Sequence, residues 1–278
     1  MAYALIDLDD LLKRTFKLEP LPATSTRLVA MLGGDPNLRE VSDIISLDPA
    51  LTLRVLRAAN SAFSGSKQPV TTVQTALMRM GLGVVVSMAV GAGVRARADK
   101  PIPAFGLKAG EFWRHSVASA LAIETAASLR VHAPPMAFTA ALLHDMGKHV
   151  LGEFLNVETL NLLQRARAEG GRTALEAETE VLGVNHAELG GAIVQHWKLP
   201  EAIVNAIIHH HDSSGEPDTL KDTVYMANII AHRIESEESI PESADDAIVR
   251  QRLGLHVIAL EQWRDATKVR LDEIMSHY

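Results

Sequence analysis

The apolar residues of this chain recur almost throughout at intervals of three and four positions, the spacing that places them on one face of an α-helix. Hardly any segment shows the strict alternation, or the clusters of Val, Ile and Thr, that indicate β-strands. Start and stop signals agree with this pattern. Pro22 and the pair Gly33 and Gly34 bracket one predicted helix, and Asp48 with Pro49 opens another. The sequence therefore predicts an all-α fold.

One segment with two prolines and no periodicity, residues 98–106, interrupts the helical pattern. We expect it to separate an N-terminal helical lobe, residues 16–100, from a second helical lobe, residues 106–236. The acidic, polar stretch 235–246 then predicts a solvated loop before two C-terminal helices within residues 243–278. The expected architecture is a two-lobed helical bundle. Beyond the first lobe, helices are predicted at about 107–131, 136–146, 150–168, 173–182, 186–197, 200–211, 219–236, 243–252 and 256–276.

Composition excludes several classes of protein. The chain has 278 residues, no cysteine and a formal net charge of −7, so disulfide scaffolds, zinc ribbons and thiol enzymes are excluded. Its longest apolar run, residues 81–94, is shorter than the roughly 20 residues that span a bilayer. The N-terminus is acidic, unlike a signal peptide, so we expect a cytoplasmic protein with no membrane partner. Net acidity and an aromatic content of 4% argue against a nucleic-acid partner.

Histidine is the residue type whose placement is most informative, because the chain contains 12 of them. Without cysteine, a metal site has to use His, Asp and Glu, a nitrogen and oxygen ligand set that suits Fe, Mn, Mg or Zn. Helical spacing places one group on the apolar faces of their helices: His115, His186, His210 and His211. His209 falls at a polar edge. The others are interpreted as surface or structural residues: His132, His149, His196, His232, His256 and His277.

Two further ligand-type residues lie at the end of an apolar helix. The segment AFTAALLHDMGK carries His144 and Asp145 in its last turn and stops at Gly147, so an imidazole and a carboxylate lie within reach of one ion. Helical bundles build metal sites from such residues on facing helices. A single histidine on an apolar face is more often a hydrogen-bonded core residue. Periodicity alone therefore leaves a metal site and a structural histidine cluster as alternatives.

Several motifs resemble the HDOD domain, a bacterial signalling module related to the HD phosphohydrolases. The resemblance covers about residues 16–215. Its first half is carried by LPATSTRL and SLDPALTLRVLRAANSAF, and its second half by ALLHDMGK, VNHAELGGAIVQHWKLPEAIVNAI and HHHD. The resemblance implies an all-α, HD-domain-like cytoplasmic protein that regulates by binding partners and is not catalytic.

The second half is also similar to the two-metal pattern of the HD-GYP phosphodiesterases. That resemblance implies six metal ligands: His115, His144, Asp145, His186, His210 and His211. Lys148 matches the neighbouring lysine, so Asp145 and Lys148 are the catalytic candidates if the protein is active. The family's closing aspartate is replaced by Asn228, and the GYP loop is absent.

The departure at Asn228 has an electrostatic consequence. Two divalent ions would bring four positive charges, and Asp145 is the one anionic ligand in the implied set. An asparagine offers a neutral carbonyl oxygen in place of a carboxylate. We therefore expect one or two divalent ions at reduced occupancy, with Fe or Mn favoured over Mg or Zn.

Two functions follow from these features. The first is a regulatory module that docks onto a signalling protein such as a kinase, a cyclic-di-nucleotide enzyme or a transcription regulator. The alternative is a metal-dependent phosphohydrolase, a phosphodiesterase of a nucleotide second messenger, in which Asp145 bridges the metals and Lys148 meets the phosphate. A third option is a site that binds a nucleotide without cleaving it, with Arg114 or Lys148 as the phosphate contact.

Overall fold

The computed structural model consists of helices joined by turns and loops. It describes Leu11, Lys13 and residues 21–34, 36–60, 69–170, 172–236 and 241–275. Within these ranges there is no β-strand, apart from an isolated antiparallel bridge between Ile102 and Leu107. The predicted all-α fold class is confirmed.

The N-terminal helices in the described residues are α1 (Ala23–Met31), α2 (Leu38–Ser46), α3 (Pro49–Asn60), α4 (Val73–Met80) and α5 (Leu82–Ala98). Polar side chains start two of them. Asp48 accepts the Leu51 N–H at the start of α3, and Thr72 accepts the Thr75 N–H at the start of α4. Gly81, at φ 83°, separates α4 from α5 in a conformation that favours glycine.

The following helices are α6 (Glu111–Ala126), α7 (Ala137–Leu143), α8 (Gly147–Phe154), α9 (Val157–Gly170), α10 (Ala174–Leu182), α11 (His186–His196), α12 (Glu201–Ile208), α13 (Thr219–Glu235), α14 (Ala244–Arg252) and α15 (Val257–Met275). The helix predicted at 150–168 is wrong, because two helices share that region. Leu155 is extended, and the Asn156 side chain accepts the Thr159 N–H and so starts α9.

Helix α6 lies at the centre of the second part and packs against α7, α13 and α15. Ala118 and Ala122 are fully buried on it, and these small side chains let the neighbouring helices approach closely. Helix α15 is held to α6 by Trp263, whose Nε1–H donates to the Ala122 carbonyl oxygen at 2.8 Å. The C-terminal helices therefore close over the helix that carries His115.

Buried apolar side chains of the N-terminal helices and of the second part join in one continuous core. Polar contacts also cross between them, since the Ser87 hydroxyl on α5 lies 2.8 Å from that of Thr139 on α7. The predicted lobe boundaries stay a prediction. None of the described helices is by itself long and apolar enough to cross a membrane. Helices α4 and α5 reach that length only together, across a bend of 112°.

Candidate metal centre

The ligand-type side chains come from separate elements that converge on the junction between α7 and α8. They are His115 on α6, His144 and Asp145 at the junction, His186 at the start of α11, and His210 and His211 just after α12. Asn228 on α13 completes the group. The structure thus brings together all six ligands that the sequence resemblance implied, and the residue that departs from the family pattern lies among them.

Local sequence fixes two of these positions tightly. Asn185 and Glu188 form a capping box at the start of α11, which sets His186 as its first residue. Gly147, the first residue of α8, lies so close to α11 that a Cβ atom there would overlap the His186 carbonyl oxygen. The absence of a side chain at Gly147 therefore allows His186 to reach Asp145.

The Asp145 carboxylate is the centre of the site and is 2% exposed. Its Oδ2 lies 3.6 Å from His115 Nε2 and 3.4 Å from His144 Nε2. Its Oδ1 lies 3.4 Å from His186 Nε2 and 3.6 Å from His210 Nε2. One carboxylate therefore faces four imidazole nitrogens, two on each oxygen.

The other ring nitrogen of each of these histidines contacts an acceptor. His115 Nδ1 lies 2.9 Å from Glu235 Oε1, and His186 Nδ1 lies 2.7 Å from Glu178 Oε2. In the other two rings Nδ1 contacts a backbone carbonyl oxygen: His144 that of Ala141 at 2.7 Å, and His210 that of Ile207 at 2.6 Å. Carboxylate and carbonyl oxygens can only accept, so we assign the proton to Nδ1 in all four rings.

This assignment leaves four Nε2 lone pairs directed at a carboxylate that itself carries lone pairs. Among the described residues, Asp145 Oδ1 and His210 Nε2 are buried without a hydrogen-bond partner. A buried polar atom without a partner is costly, and a cation between these acceptors would satisfy them together. The donor set therefore fits a divalent metal ion with nitrogen and oxygen ligands.

The ligand atoms form two groups that share Asp145. The first metal subsite consists of Asp145, His186, His210 and His211, and the second consists of His115, His144 and Asp145. Within each subsite the ligand atoms lie within 4.8 Å of one another. At the second subsite, Asn228 Oδ1 lies 3.1 Å from His115 Nε2, so a neutral amide oxygen occupies the place of the family's closing carboxylate.

Electrostatics keep these groups in the protonation states that bind metal. Burial would raise the pKa of Asp145, but Lys148 and His144 outweigh it and hold that pKa well below the usual value. Burial lowers the pKa of His115, and it lowers that of His210 to about 3. At neutral pH the site therefore presents an anionic carboxylate at Asp145 and uncharged imidazoles at His115 and His210.

Lys148 is the one cation in direct contact with the central carboxylate among the described residues. Its Nζ donates to Asp145 Oδ2 at 2.6 Å. Arg114, the other predicted phosphate contact, is not brought to the site. Arg114 is the residue before His115 on α6, so its side chain points about 100° around the helix from that of His115. Its guanidinium group forms an ion pair with Asp272 of α15 at 3.4 Å.

His211 is an exposed residue, but its ring nitrogen belongs to the first metal subsite. Helix α12 ends at Ile208, and His209 has non-helical φ and ψ angles of −106° and 18°. Helical spacing therefore does not extend to His211. Its Nε2 nevertheless lies 3.1 Å from His186 Nε2, at the mouth of the site.

The histidines assigned to surface or structural roles occupy varied places. His132, His196 and His256 are exposed, as is the edge residue His209, whereas His149 is buried. His232 is half-buried beside the site, with its ring centroid 4.6 Å from that of His115. His277 lies outside the described residues.

Sequence reasoning missed two carboxylates that hold ligand rings, Glu178 and Glu235. Glu178 is 3% exposed and lies on α10, which ends at Leu182, so its contact with His186 on α11 crosses between two helices. Glu235 lies seven positions after Asn228 on α13, which places both on one helix face. Helical periodicity around Asn228 could have identified Glu235, whereas no pattern identifies Glu178.

Helices that surround a buried His-Asp pair with histidines are an arrangement from which helical proteins build metal sites. The model of the HDOD domain family matches residues 18–213. The chain therefore belongs to the HDOD domain family.

Individual relatives agree with this assignment. A Treponema pallidum (strain Nichols) protein described as uncharacterized is 26% identical to this chain over 240 residues. The match covers 82% of this chain and 46% of the relative, so this chain spans less than half of the relative's length. A crystal structure from Shewanella amazonensis SB2B, provisionally named a phosphohydrolase, has a TM-score of 0.65 and 26% identity, with 94% and 97% of the two chains covered. An HDOD domain protein of unknown function from Geobacter sulfurreducens has a TM-score of 0.68, 22% identity and coverage of 95% and 97%, which supports the fold alone.

Proposed function

We propose that this HDOD protein is a metal-binding regulatory module that acts by binding a signalling partner and does not hydrolyse phosphodiesters. The observation that carries the proposal is Asn228, a neutral side chain 3.1 Å from His115 Nε2 within an otherwise complete ligand set. The partner would be a signalling protein such as a kinase, a cyclic-di-nucleotide enzyme or a transcription regulator. A crystal structure of the same fold from Marinobacter aquaeolei VT8, 21% identical to this chain, bears the provisional name of a signal transduction protein.

The two metal subsites differ in what they offer a cation. The first has three imidazoles and the Asp145 carboxylate, whereas the second has two imidazoles, the same carboxylate and an amide oxygen. Because both subsites share Asp145 as their one anionic ligand, a second divalent ion would meet the charge of the first without a further carboxylate among its own ligands. We therefore expect the first subsite to fill and the second to bind weakly.

That difference bears directly on catalysis. Two divalent ions held together supply the activated water and the charge stabilisation that phosphodiester hydrolysis needs. In this chain Asn228 weakens the second subsite, and Lys148 Nζ donates a hydrogen bond to Asp145. Both features support a role in binding.

A phosphodiesterase assay on the purified full chain tests the proposal. Wild-type protein is incubated with excess Mn²⁺ or Fe²⁺ and with bis(p-nitrophenyl) phosphate or cyclic dinucleotides. The Asn228→Asp and His144→Ala variants are assayed in parallel under the same conditions. The proposal expects wild type to be as inactive as His144→Ala. Turnover by wild type that His144→Ala abolishes would refute it, whatever Asn228→Asp does.

A metal-dependent phosphohydrolase of a nucleotide second messenger is the second candidate. Its specific support is that Asp145 keeps imidazoles at both oxygens, at 3.4–3.6 Å, with a lysine 2.6 Å away. The Shewanella amazonensis relative, at 26% identity, is provisionally named a phosphohydrolase. In this case Lys148 would hold the phosphate as a point charge, and Lys148→Met would raise KM for the phosphodiester.

The site could also bind a nucleotide without cleaving it. Equilibrium dialysis of the same protein and nucleotides would then show saturable binding of the intact nucleotide.

A further inference from the structure

A deep cleft lies on the opposite side of α6 and α7 from the candidate metal centre. Its volume is about 950 Å³, and α3, α5, α6, α7 and α15 form its walls. Apolar side chains from four of these helices line it: Met88, Trp113, Val117, Phe138, Leu142 and Ile274. A cleft of this size lies within the roughly 300–1,000 Å³ range of small-molecule sites.

Four arginines also line the cleft, in a protein whose net charge is −7. Arg95 and Arg270 are paired: Arg95 contacts Asp99 at 3.4 Å, and Arg270 contacts two glutamates. Arg54 and Arg57, on exposed positions of α3, form no ion pair within the described part of the chain. The cleft therefore carries two uncompensated positive charges next to an apolar interior.

The polar side chains in the cleft are already engaged in the fold. Asn60 donates to the Val70 carbonyl oxygen and accepts the Val70 N–H, and the Ser87 hydroxyl bonds to that of Thr139. They are not available to read the edge of a nucleobase. The indole N–H of Trp113, in contrast, is buried without a hydrogen-bond partner among the described residues.

From these features we infer that the cleft binds a small amphiphilic anion, with an alkyl or acyl chain on the apolar walls and a phosphate or carboxylate head on Arg54 and Arg57. A guanidinium group holds such a head through two parallel hydrogen bonds, which a neutral head cannot replace. The apolar walls remove the chain from water. This ligand site is separate from the metal centre and does not depend on the function proposed for it.

Binding of dodecyl phosphate to the full chain, below its micelle concentration, tests this inference by isothermal titration calorimetry. Dodecyl maltoside and dodecyltrimethylammonium have the same chain with neutral and cationic heads, and AMP has a phosphate without the chain. We expect saturable binding of dodecyl phosphate and at least tenfold weaker binding of the other three. Equal binding of the cationic amphiphile, or tighter binding of AMP, would overturn the inference.

Variants locate the binding site. Arg54→Gln/Arg57→Gln should weaken dodecyl phosphate binding by about tenfold or more, because charge-assisted hydrogen bonds are lost. Ala92→Trp, at an exposed position that lines the cleft, should weaken it by filling the space. The matched control is Arg165→Gln/Arg167→Gln, which removes two exposed charges from α9. Equal affinities in the Arg54/Arg57 double variant and this control would refute the assignment, provided that circular dichroism shows both are folded.

Discussion

Glu178 accepts two hydrogen bonds from His186, one from the backbone N–H at 2.8 Å and one from ring Nδ1 at 2.7 Å. Glu235 makes the equivalent ring contact to His115. These carboxylates orient the imidazoles and make Nε2 a better donor to a metal. They also place negative charge close to both subsites, which offsets part of the charge that Asn228 leaves uncompensated.

The first prediction concerns this support. Glu178→Gln keeps the shape of the side chain but removes its charge, so we expect metal affinity at the first subsite to fall by about tenfold or more. Competition with a fluorescent chelator measures the dissociation constant for Mn²⁺ or Zn²⁺. Glu201→Gln, at an exposed position on α12, serves as the control. Equal affinities of the two variants would show that Glu178 does not tune the ligand ring.

At this scale the sequence predicted residue types well and side-chain partners poorly. Periodicity and the HDOD resemblance identified the histidines, since both depend on local pattern. His211 lies in the first subsite, but helical spacing does not explain its position, because helix α12 ends at Ile208. Glu178 was missed because its contact with His186 depends on the packing of α10 against α11, which no spacing within one helix reveals.

Helix contacts fix the distance between the ligands. A Cβ atom on Gly147 would overlap the His186 carbonyl oxygen and lie 2.7 Å from Gly190 N. On the opposite side of α11, Gly191 is similarly close to the side chain of Ile208. Glycines thus let α8, α11 and α12 pack at the separation that the site requires.

The second prediction follows from this packing. Gly147→Ala would force α8 and α11 apart, so we expect a loss of about 1–3 kcal/mol in unfolding free energy and weaker metal binding. Urea denaturation and chelator competition measure these two effects. Gly34→Ala is the control, because nothing lies within 4 Å of a Cβ atom there. If Gly147→Ala behaved like Gly34→Ala in both measurements, the close approach of α8 and α11 would not position His186.

Element prediction succeeded where a helix has an apolar face and a clear start or stop signal. The break between α8 and α9 was missed because apolar residues continue across Leu155 without a proline or glycine. Helix α2 was not assigned, although Val41, Ile44 and Ile45 show helical spacing and are buried. Its nine residues give a short pattern, and its stability depends on packing against α3 and α4.

For the whole molecule, buried histidines couple folding to pH. His149 is 7% exposed and packs edge-on against Phe112, with ring centroids 4.3 Å apart. Burial, with Arg97 and Lys100 nearby, lowers the pKa of His149 from 6.5 to about 4. The unfolded chain therefore binds a proton between pH 6.5 and 4 where the folded chain does not, so stability falls as the pH decreases through this window.

The third prediction removes this contribution. In His149→Gln, the loss of stability between pH 6.5 and 4 should be smaller than in wild type by at most about 3 kcal/mol, the equivalent of the pKa shift. Urea denaturation of chelator-treated protein at several pH values measures it. His132→Gln, an exposed position, should follow wild type. A parallel pH dependence in all three proteins would mean that His149 is protonated in the folded state.

Long-range assembly is the part of the account that the sequence could not supply. The site and the cleft use opposite sides of α6 and α7, and the cleft also needs α3 and α15. The resemblance implied the six candidate ligands because family motifs record them. Arg57, Trp113 and Ile274 line one cleft because helices far apart in the chain pack together.

The metal content of protein purified without chelator tests the central claim most directly. Elemental analysis of wild type should find about one equivalent of Fe, Mn or Zn, because the first subsite is complete and the second lacks its carboxylate. Asn228→Asp restores that carboxylate and should raise the content to about two equivalents. Less than about a tenth of an equivalent in both proteins, from a site whose donor set fits such ions, would contradict the account.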